Sequence, residues 1–250
     1  VFSNDIRDAV KGHYSNAADP GFASGKPGNE ETVKLGIVGA TAHPQIDFSK
    51  CNNSKFGYAT HPVQVVNYVS CHDDLCLTDK LSKSMPGTTV EERVAVAKLA
   101  QTIVFTSQGI PFMFTGEEIF RDKKGVHNSY NSPDSINAID WNQKKEYRDL
   151  FDYYKGIINI RKLHPAFRMT TAEDVAKNLV FDEVNEPNVI SYSLKNNANG
   201  DSWNEIKVIF NGATKANVVE IPEGEWTIVV KDGKADEAGL GTTNGGKLEV

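Results

Sequence analysis

The sequence lacks the cysteine pattern of a disulfide-bonded or zinc-binding protein. It contains three cysteines, Cys51, Cys71 and Cys76, and no Cys-x-x-Cys pair. An odd count makes a disulfide framework improbable, and no second cluster of Cys and His stands at zinc-ligand spacing. We therefore expect no disulfide, no bound metal ion and no cofactor.

Long apolar runs and blocks of basic residues are also missing. No apolar stretch approaches the ~20 residues that span a bilayer. The first five residues, VFSND, do not form the basic region and apolar core of a signal peptide. Lys and Arg are interspersed with acids at a formal net charge of -6, whereas nucleic-acid binding needs clustered bases. We expect neither a membrane segment nor a nucleic-acid partner.

What the sequence does contain is the composition of a folded protein. The chain has 250 residues, of which 39% are hydrophobic and 24% charged. These values are typical of globular domains, and the length accommodates one large domain or two ordinary ones.

Residues 1–165 alternate strand and helix patterns. Such an alternation predicts parallel strands joined by crossover helices, and both a barrel and an open sheet satisfy it. Gly109 marks the end of the first long helix, because glycine readily adopts the left-handed conformation found there. Asn142 is the expected cap of the second. We predict strands at residues 63–70 and 110–115, and helices at residues 91–107 and 143–163.

Residues 166–250 show a different pattern of short β-branched runs separated by Asn-Gly, Pro-Glu-Gly and Asp-Gly turns. This pattern predicts a small antiparallel β-sandwich. The predicted strands are residues 179–181, 189–194, 206–210, 218–221 and 226–230, with a further strand over the last four residues.

The clearest candidate for chemistry is the end of the first predicted strand, where His72, Asp73 and Asp74 follow an apolar run. Polar groups at the carboxyl ends of parallel strands face the place where α/β folds bind ligands. Asp74 has a second interpretation as the cap of a helix near residues 75–81. Cys71 beside His72 suggests a thiol nucleophile, although a small residue at a strand end explains it better.

Two further segments carry polar side chains after the second predicted strand. Glu117 and Glu118 are either site carboxylates or acids that complement a helix dipole. Residues 128–134 form a polar loop with one aromatic ring, Tyr130. Sugar sites use such groups because each hydroxyl needs a hydrogen-bond partner and each ring face stacks on an aromatic, but most polar loops simply face water.

Three segments resemble the α-amylase superfamily in the expected order. Residues 2–12 (FSNDIRDAVKG) are similar to the segment after the sixth barrel strand. Residues 66–73 (VNYVSCHD) resemble the histidine–aspartate segment that ends the seventh strand. Residues 116–134, with Asp140 and Trp141, resemble the segment after the eighth strand in pullulanases, and the NSYNSPD string within them is specific to pullulanase-type (type I) α-1,6-glucosidases of glycoside hydrolase family 13.

The resemblance implies a C-terminal portion of such an enzyme, with an α/β plus all-β fold. Residues 1–165 would supply about strands 6–8 of a (β/α)8 TIM barrel, and residues 166–250 a C-terminal antiparallel β-sandwich. Asp73 would stabilise the transition state and His72 would donate a hydrogen bond to a sugar hydroxyl. The substrate-binding residues would be Asn67, Tyr68, Glu117, Asn128, Tyr130, Asn131 and Asp134.

The same resemblance indicates what this chain does not supply. The family uses a nucleophilic Asp and an acid/base Glu, ~5–5.5 Å apart in retaining enzymes. Both stand before the segment that matches residues 2–12, so neither has a counterpart here. Asp5 and Asp8 are poor replacements, because they look like helix-start charges behind an Asn4 cap. We expect the chain alone to be inactive.

The implied partner is a branched α-glucan such as pullulan, starch or glycogen, and open barrel edges invite self-association. Family members suggest an extracellular or cell-envelope bacterial enzyme, with the cytoplasm as the alternative. A non-catalytic glycan-binding or structural module is the rival hypothesis. A third, an α/β hydrolase centred on Cys71 or His72, lacks a Gly-x-Ser-x-Gly elbow.

Overall fold

The computed structural model describes all residues, 1–250, and contains helices and short strands in two successive patterns. The helices are α1 (Asn4–Lys11), α2 (Glu30–Ile37), α3 (Leu77–Ser84), α4 (Val90–Thr106), α5 (Asp134–Asn137), α6 (Gln143–Glu146), α7 (Arg148–Leu163) and α8 (Ala172–Asn178). The strands are β1 (Val66–Asn67), β2 (Ile110–Pro111), β3 (Leu179–Phe181), β4 (Val189–Leu194), β5 (Ile206–Asn211), β6 (Val218–Ile221), β7 (Trp226–Ile228), β8 (Val230–Lys231), β9 (Lys234–Ala235), β10 (Gly241–Thr243) and β11 (Gly246–Glu249).

Parallel pairing organises the first pattern. Strand β1 pairs with β2 in parallel, and Phe2 forms a parallel bridge with Val66 on the other side of β1. Helices lie between these three chain segments. The strands are much shorter than predicted: a 3-10 turn over Pro62–Gln64 overlaps the start of the predicted strand at residues 63–70, and Pro111 has no N–H to donate to a ladder.

Helix α4 confirms the prediction for residues 91–107 to within one residue. A capping box starts it: Thr89 Oγ1 accepts a hydrogen bond from Glu92 N, and the Glu92 carboxylate accepts one from Thr89 N. Gly109 beyond it has φ +96°, and a Cβ there would stand 2.9 Å from the Pro62 carbonyl oxygen. Glycine is therefore required where the chain turns into β2.

The single helix predicted over residues 143–163 is wrong, because the chain breaks it into α6 and α7. Tyr147 interrupts it with φ -101° and ψ 40°. Asn142 does not cap it either: its side chain makes no cap bond and donates instead to Asp140 Oδ1 at 2.9 Å.

Two other predicted caps are also wrong. Helix α3 begins at Leu77 with Cys76 in the cap position, whereas Asp74 has φ +60° and takes no part in the helix. Helix α1 is capped by Ser3, whose hydroxyl accepts from Ile6 N. Asn4 lies inside the helix.

The second pattern is antiparallel, as predicted. Strands β3, β4 and β5 form a three-stranded sheet, and every residue of β4 is buried. The remaining strands form the antiparallel pairs β6–β11, β7–β10 and β8–β9. The strand predicted over residues 226–230 splits at Val229 into β7 and β8.

One apolar core of 40 buried residues joins the two patterns, extending from Ile6 to Phe210. Tyr192 in β4 donates its hydroxyl proton to the Thr106 carbonyl at 3.2 Å, so this hydrogen bond joins the second pattern to helix α4 of the first. The domain boundary at residues 165/166 therefore divides sequence patterns that share a core, and it stays a prediction. None of the helices combines the length and the apolar character needed to cross a membrane.

Candidate functional site

The loop that follows β1 presents His72 and Asp73 to solvent. Their side chains are 76% and 60% exposed, and His72 Nε2 lies 3.4 Å from Asp73 Oδ2. The sequence predicted this exposed pair at the end of a strand. The pair follows β1, the middle member of the parallel trio formed by Phe2, β1 and β2, and its exposure makes it accessible to a ligand.

Two buried lysine ammonium groups hold the backbone of this loop from below. Lys123 Nζ donates to the carbonyls of His72 and Asp74, both at 3.1 Å. Lys11 Nζ donates to the Leu75 carbonyl at 3.0 Å, and burial lowers the pKa of Lys11 to about 8. Lys123 is 0% and Lys11 1% exposed, so both donors act inside the protein.

Asp74 connects three elements instead of capping one. Its Oδ2 accepts from Arg7 Nη1 of α1 at 3.5 Å, and its Oδ1 lies 3.4 Å from His127 Nε2. Arg7 also forms a buried ion pair with Asp8, with Nε and Oδ1 2.7 Å apart. The loop after β1 is thereby joined to α1 and to the loop that begins at His127.

The polar loop predicted at residues 128–134 is mostly exposed in the structure, although Ser129 is buried. Asn137 Nδ2 fixes its curvature by donating to the carbonyls of Ser129 and Ser132 at 2.7 and 3.0 Å. The Asn137 carbonyl in turn accepts from Arg121 Nη2 at 2.7 Å. The predicted ligands that this loop presents to solvent are Asn128, Tyr130, Asn131 and Asp134.

The structure does not bring the remaining three candidates to the exposed face. Asn67 is 0% exposed, and its amide donates to the carbonyls of Gly36 and Gln108. Tyr68 is 3% exposed and hydrogen-bonds Asn4 and Arg7 through its hydroxyl. Both side chains hold neighbouring segments together, so a direct contact with a ligand is not what this geometry offers.

Glu117, the third, is a buried carboxyl group. It is 4% exposed and accepts hydrogen bonds from Ser70 Oγ, Gln101 Nε2 and Phe114 N. Burial raises the pKa of Glu117 to about 7. Glu117 therefore carries a proton over much of the acidic range and acts within the interior network.

A metal ion would find its best ligand set at Cys71, His72 and Asp73, whose ligand atoms lie within 4.8 Å of one another. Burial raises the pKa of the Cys71 thiol, which opposes the thiolate form that a metal or a nucleophilic mechanism requires. The chemistry of this set disfavours both the metal and the thiol-nucleophile hypotheses.

Sequence reasoning missed Arg7, Lys11, Lys123 and His127. Lysines on apparently polar segments are normally assigned to solvent, and nothing in their spacing signals burial. His127 immediately precedes the predicted polar loop, which was the one available hint.

Comparisons with known proteins agree on one family. The family model "Pullulanase, all-beta domain" matches residues 175–234. The Bacillus subtilis pullulanase is 34% identical over 213 residues, which are 85% of this chain and 28% of that protein. Pullulanase 1, chloroplastic, of Arabidopsis thaliana is 32% identical over 173 residues, 56% of this chain and 18% of its own length.

Solved structures give the same result. The pullulanase from Bacillus acidopullulyticus matches with a TM-score of 0.90 at 38% identity, covering 100% of this chain and 29% of that one. The type I pullulanase from Bacillus subtilis matches with a TM-score of 0.89 at 30% identity, covering 100% and 33%. The chain thus spans about a third or less of the length of these relatives.

Proposed function

Because the chain belongs to the pullulanase family, we propose that it forms part of a debranching glycosidase that hydrolyses α-1,6-glucosidic bonds in pullulan, starch or glycogen. The observation that carries this proposal is the exposed His72–Asp73 pair on a loop anchored by buried cations. A retaining double displacement would proceed through an oxocarbenium-like transition state, which an orientated carboxylate stabilises.

Residues 1–165 are proposed to form about strands 6–8 of a (β/α)8 barrel, followed by a β-sandwich over residues 166–250. The parallel order Phe2, β1, β2, with helices between successive strands, supports this assignment. In such barrels the active site gathers at the carboxyl ends of the strands, where His72 and Asp73 lie.

Within this site Asp73 would stabilise the flattening sugar ring and His72 would donate to a hydroxyl. The loop from Asn128 to Asp134 would line the neighbouring glucose subsites, with Tyr130 as a stacking surface because it is 76% exposed. The pullulanase from Paenibacillus barengoltzii has been solved as a complex with maltohexaose and alpha-cyclodextrin. The type I pullulanase from Bacillus subtilis has been solved as a complex with maltose. These ligands favour an α-glucan as the partner here.

The isolated chain is proposed to be inactive, because no residue corresponds to the nucleophile or to the acid/base. Both Asp5 oxygens accept hydrogen bonds from Ser54, at 3.1 and 2.8 Å, and Asp5 is 6% exposed. Asp8 is committed to its ion pair with Arg7. Neither carboxylate is available for attack on a glycosidic carbon.

The test is reducing-end release from pullulan by the purified 250-residue chain and by a longer protein that contains it. We expect turnover only from the longer protein, at the 1–10³ per second that is roughly typical of enzymes. Inactivity of both would favour the alternative, a non-catalytic glycan-binding or structural module. Turnover by the short chain that Asp73→Asn abolishes would overturn the claim of inactivity.

We also propose that the isolated chain self-associates. Phe2 and Ile110, on the outer members of the parallel trio, are 50% and 47% exposed, and uncovered edges of this kind promote pairing with another chain. Light scattering of the isolated chain should show an oligomer, and a clean monomer would contradict this.

We propose an extracellular or cell-envelope location from the family resemblance, and detection of the protein with an antibody in fractionated cells would test it.

A further inference from the structure

Lys123 is an unusual residue to find in a protein interior. It is 0% exposed, and its ammonium donates to two backbone carbonyls, those of His72 and Asp74. None of the ion pairs in the structure includes Lys123, and the nearest aromatic face, Phe114, is 5.9 Å from its Nζ. A buried charge without a carboxylate partner is costly, so stability alone does not explain it.

The two carbonyls that Lys123 binds stand on either side of Asp73. The turn between them is irregular: Asp74 has φ +60°, a conformation that non-glycine residues rarely adopt. A turn of this kind persists only where its surroundings hold it. The ammonium supplies that hold from the buried side, while the Asp73 side chain is 60% exposed.

The backbone of Lys123 is itself held by Asp79 of helix α3. Asp79 in α3 accepts a hydrogen bond from Lys123 N through Oδ2 and one from Gly125 N through Oδ1, both at 2.8 Å. The chain segment that carries Lys123 therefore has a defined place relative to α3. Lys11 adds a second buried donor, to the Leu75 carbonyl, at the end of the same turn.

We propose that Lys123 is a positioning residue for Asp73, which it serves by holding the carbonyls of His72 and Asp74. This inference rests on the proposed glycosidase function of Asp73. The Lys123 ammonium touches no substrate in this account. Its effect reaches the sugar through the orientation of the carboxylate, and misplacement of a catalytic group by ~1 Å costs about 10²-fold in rate.

The chain offers a matched control in Lys80 of α3. Lys80 is 1% exposed, and its ammonium also donates to two backbone carbonyls, those of His13 and Asn16. Those carbonyls belong to a different loop. Lys123→Met and Lys80→Met thus remove the same kind of buried interaction, one below Asp73 and one away from it.

The first readout is kcat, KM and melting temperature in a longer protein that contains this chain, with a branched glucan as substrate. Lys123→Met should lower kcat about 10²-fold with KM little changed. Lys80→Met should lower the melting temperature while leaving kcat at the unsubstituted value. If Lys123→Met fails to fold, Lys123→Gln, whose amide NH2 keeps a donor group, should show an intermediate loss of kcat. Equal kcat in the unsubstituted, Lys123 and Lys80 proteins would overturn the proposal.

The second readout is independent of catalysis. Backbone 15N relaxation in the 250-residue chain should show greater mobility of His72, Asp73 and Asp74 in the Lys123 variant than in the Lys80 variant. Equal mobility in the two variants would overturn the proposal even if the longer protein is inactive. An inactive longer protein combined with a mobilised turn would instead count against the glycosidase function and leave the positioning of Asp73 supported.

Discussion

The two sequence patterns of this molecule differ most in what they bury. Up to residue 165 ten acidic and basic residues are buried, whereas beyond it Asp201 is buried and the Lys207 side chain is 7% exposed. The ten are Asp5, Arg7, Asp8, Lys11, Asp79, Lys80, Glu117, Arg121, Lys123 and Arg161. The antiparallel part is held by apolar strands, of which β4 is buried along its whole length.

Many of the buried charged side chains of the first part hold its loops in place. Arg161 donates to the carbonyls of Phe105, Ser107 and Gly109, and Arg121 to those of Thr115 and Asn137. Three of these carbonyls belong to backbone outside helices and strands, and those of Phe105 and Asn137 lie in the last turns of α4 and α5, where helical carbonyls lack a partner within the helix. A region that presents ligands on irregular loops needs such ties, and a region that packs sheets needs few.

The largest effect should come from the apolar side of the comparison. Phe210 in β5 is 2% exposed and lies in the core shared with the first part. Phe210→Ala should lower the free energy of unfolding by about 3–5 kcal/mol, because a cavity replaces the ring. Urea denaturation of the 250-residue chain measures this. A loss confined to a separate transition of residues 166–250 would show that the core does not unite the two parts.

The next effect should come from the loop side. Asp73→Asn in a longer, active protein should lower kcat at least ~10²-fold while leaving stability almost unchanged, because the carboxylate is exposed and acts on the transition state. Asp152→Asn is the control, since Asp152 pairs with Arg148 on the outside of α7. Kinetics on one branched substrate decide the matter. Near-normal turnover of the Asp73 variant would break the assignment of chemistry to this loop.

The smallest effect is a pH dependence of stability that originates in the buried carboxyl group of Glu117. Burial raises the pKa of the Glu117 carboxyl group to about 7, above the ordinary 4.5 of a glutamate side chain. The folded state therefore binds the proton more tightly, and its contribution to stability is lost as pH rises from 4.5 through 7. Between pH 5 and pH 7 this loss should be about 2 kcal/mol.

Glu117→Gln should remove that loss, so the difference in unfolding free energy between wild type and variant should change with pH across this window. Glu118→Gln is the neighbouring control, because the Glu118 carboxylate is only half-buried and accepts from Gly116 N. Chemical denaturation at a series of pH values measures the slope. The same slope in both variants would contradict the account.

Sequence reasoning succeeded where a pattern has a local cause. The helix over residues 91–107 follows from its apolar spacing, and the strands from 179 to 221 follow from β-branched runs between turns. It failed where tertiary contacts decide. Asp74 cannot be distinguished from a helix cap without knowing that Arg7 and His127 approach it, and the break at Tyr147 has no strong breaker residue to announce it.

The candidate site divides in the same way. The motif residues His72, Asp73 and the loop from Asn128 to Asp134 were predicted by type and order, and they are exposed in the structure. Asn67, Tyr68 and Glu117 come from the same motifs but are buried, because their polar groups hydrogen-bond neighbouring segments inside the protein. The lysines beneath the loop were beyond prediction, since their partners are backbone carbonyls that have no sequence signature.

The claim that ligand recognition belongs to the first part is tested most directly by an NMR titration of the 250-residue chain with maltotriose. We expect amide shifts concentrated at residues 72–74 and 127–134, with residues 175–234 unaffected. Asp73→Asn should reduce the shifts of the first group. Shifts centred on residues 175–234 and insensitive to Asp73→Asn would contradict the account and identify the antiparallel part as the glycan-binding module.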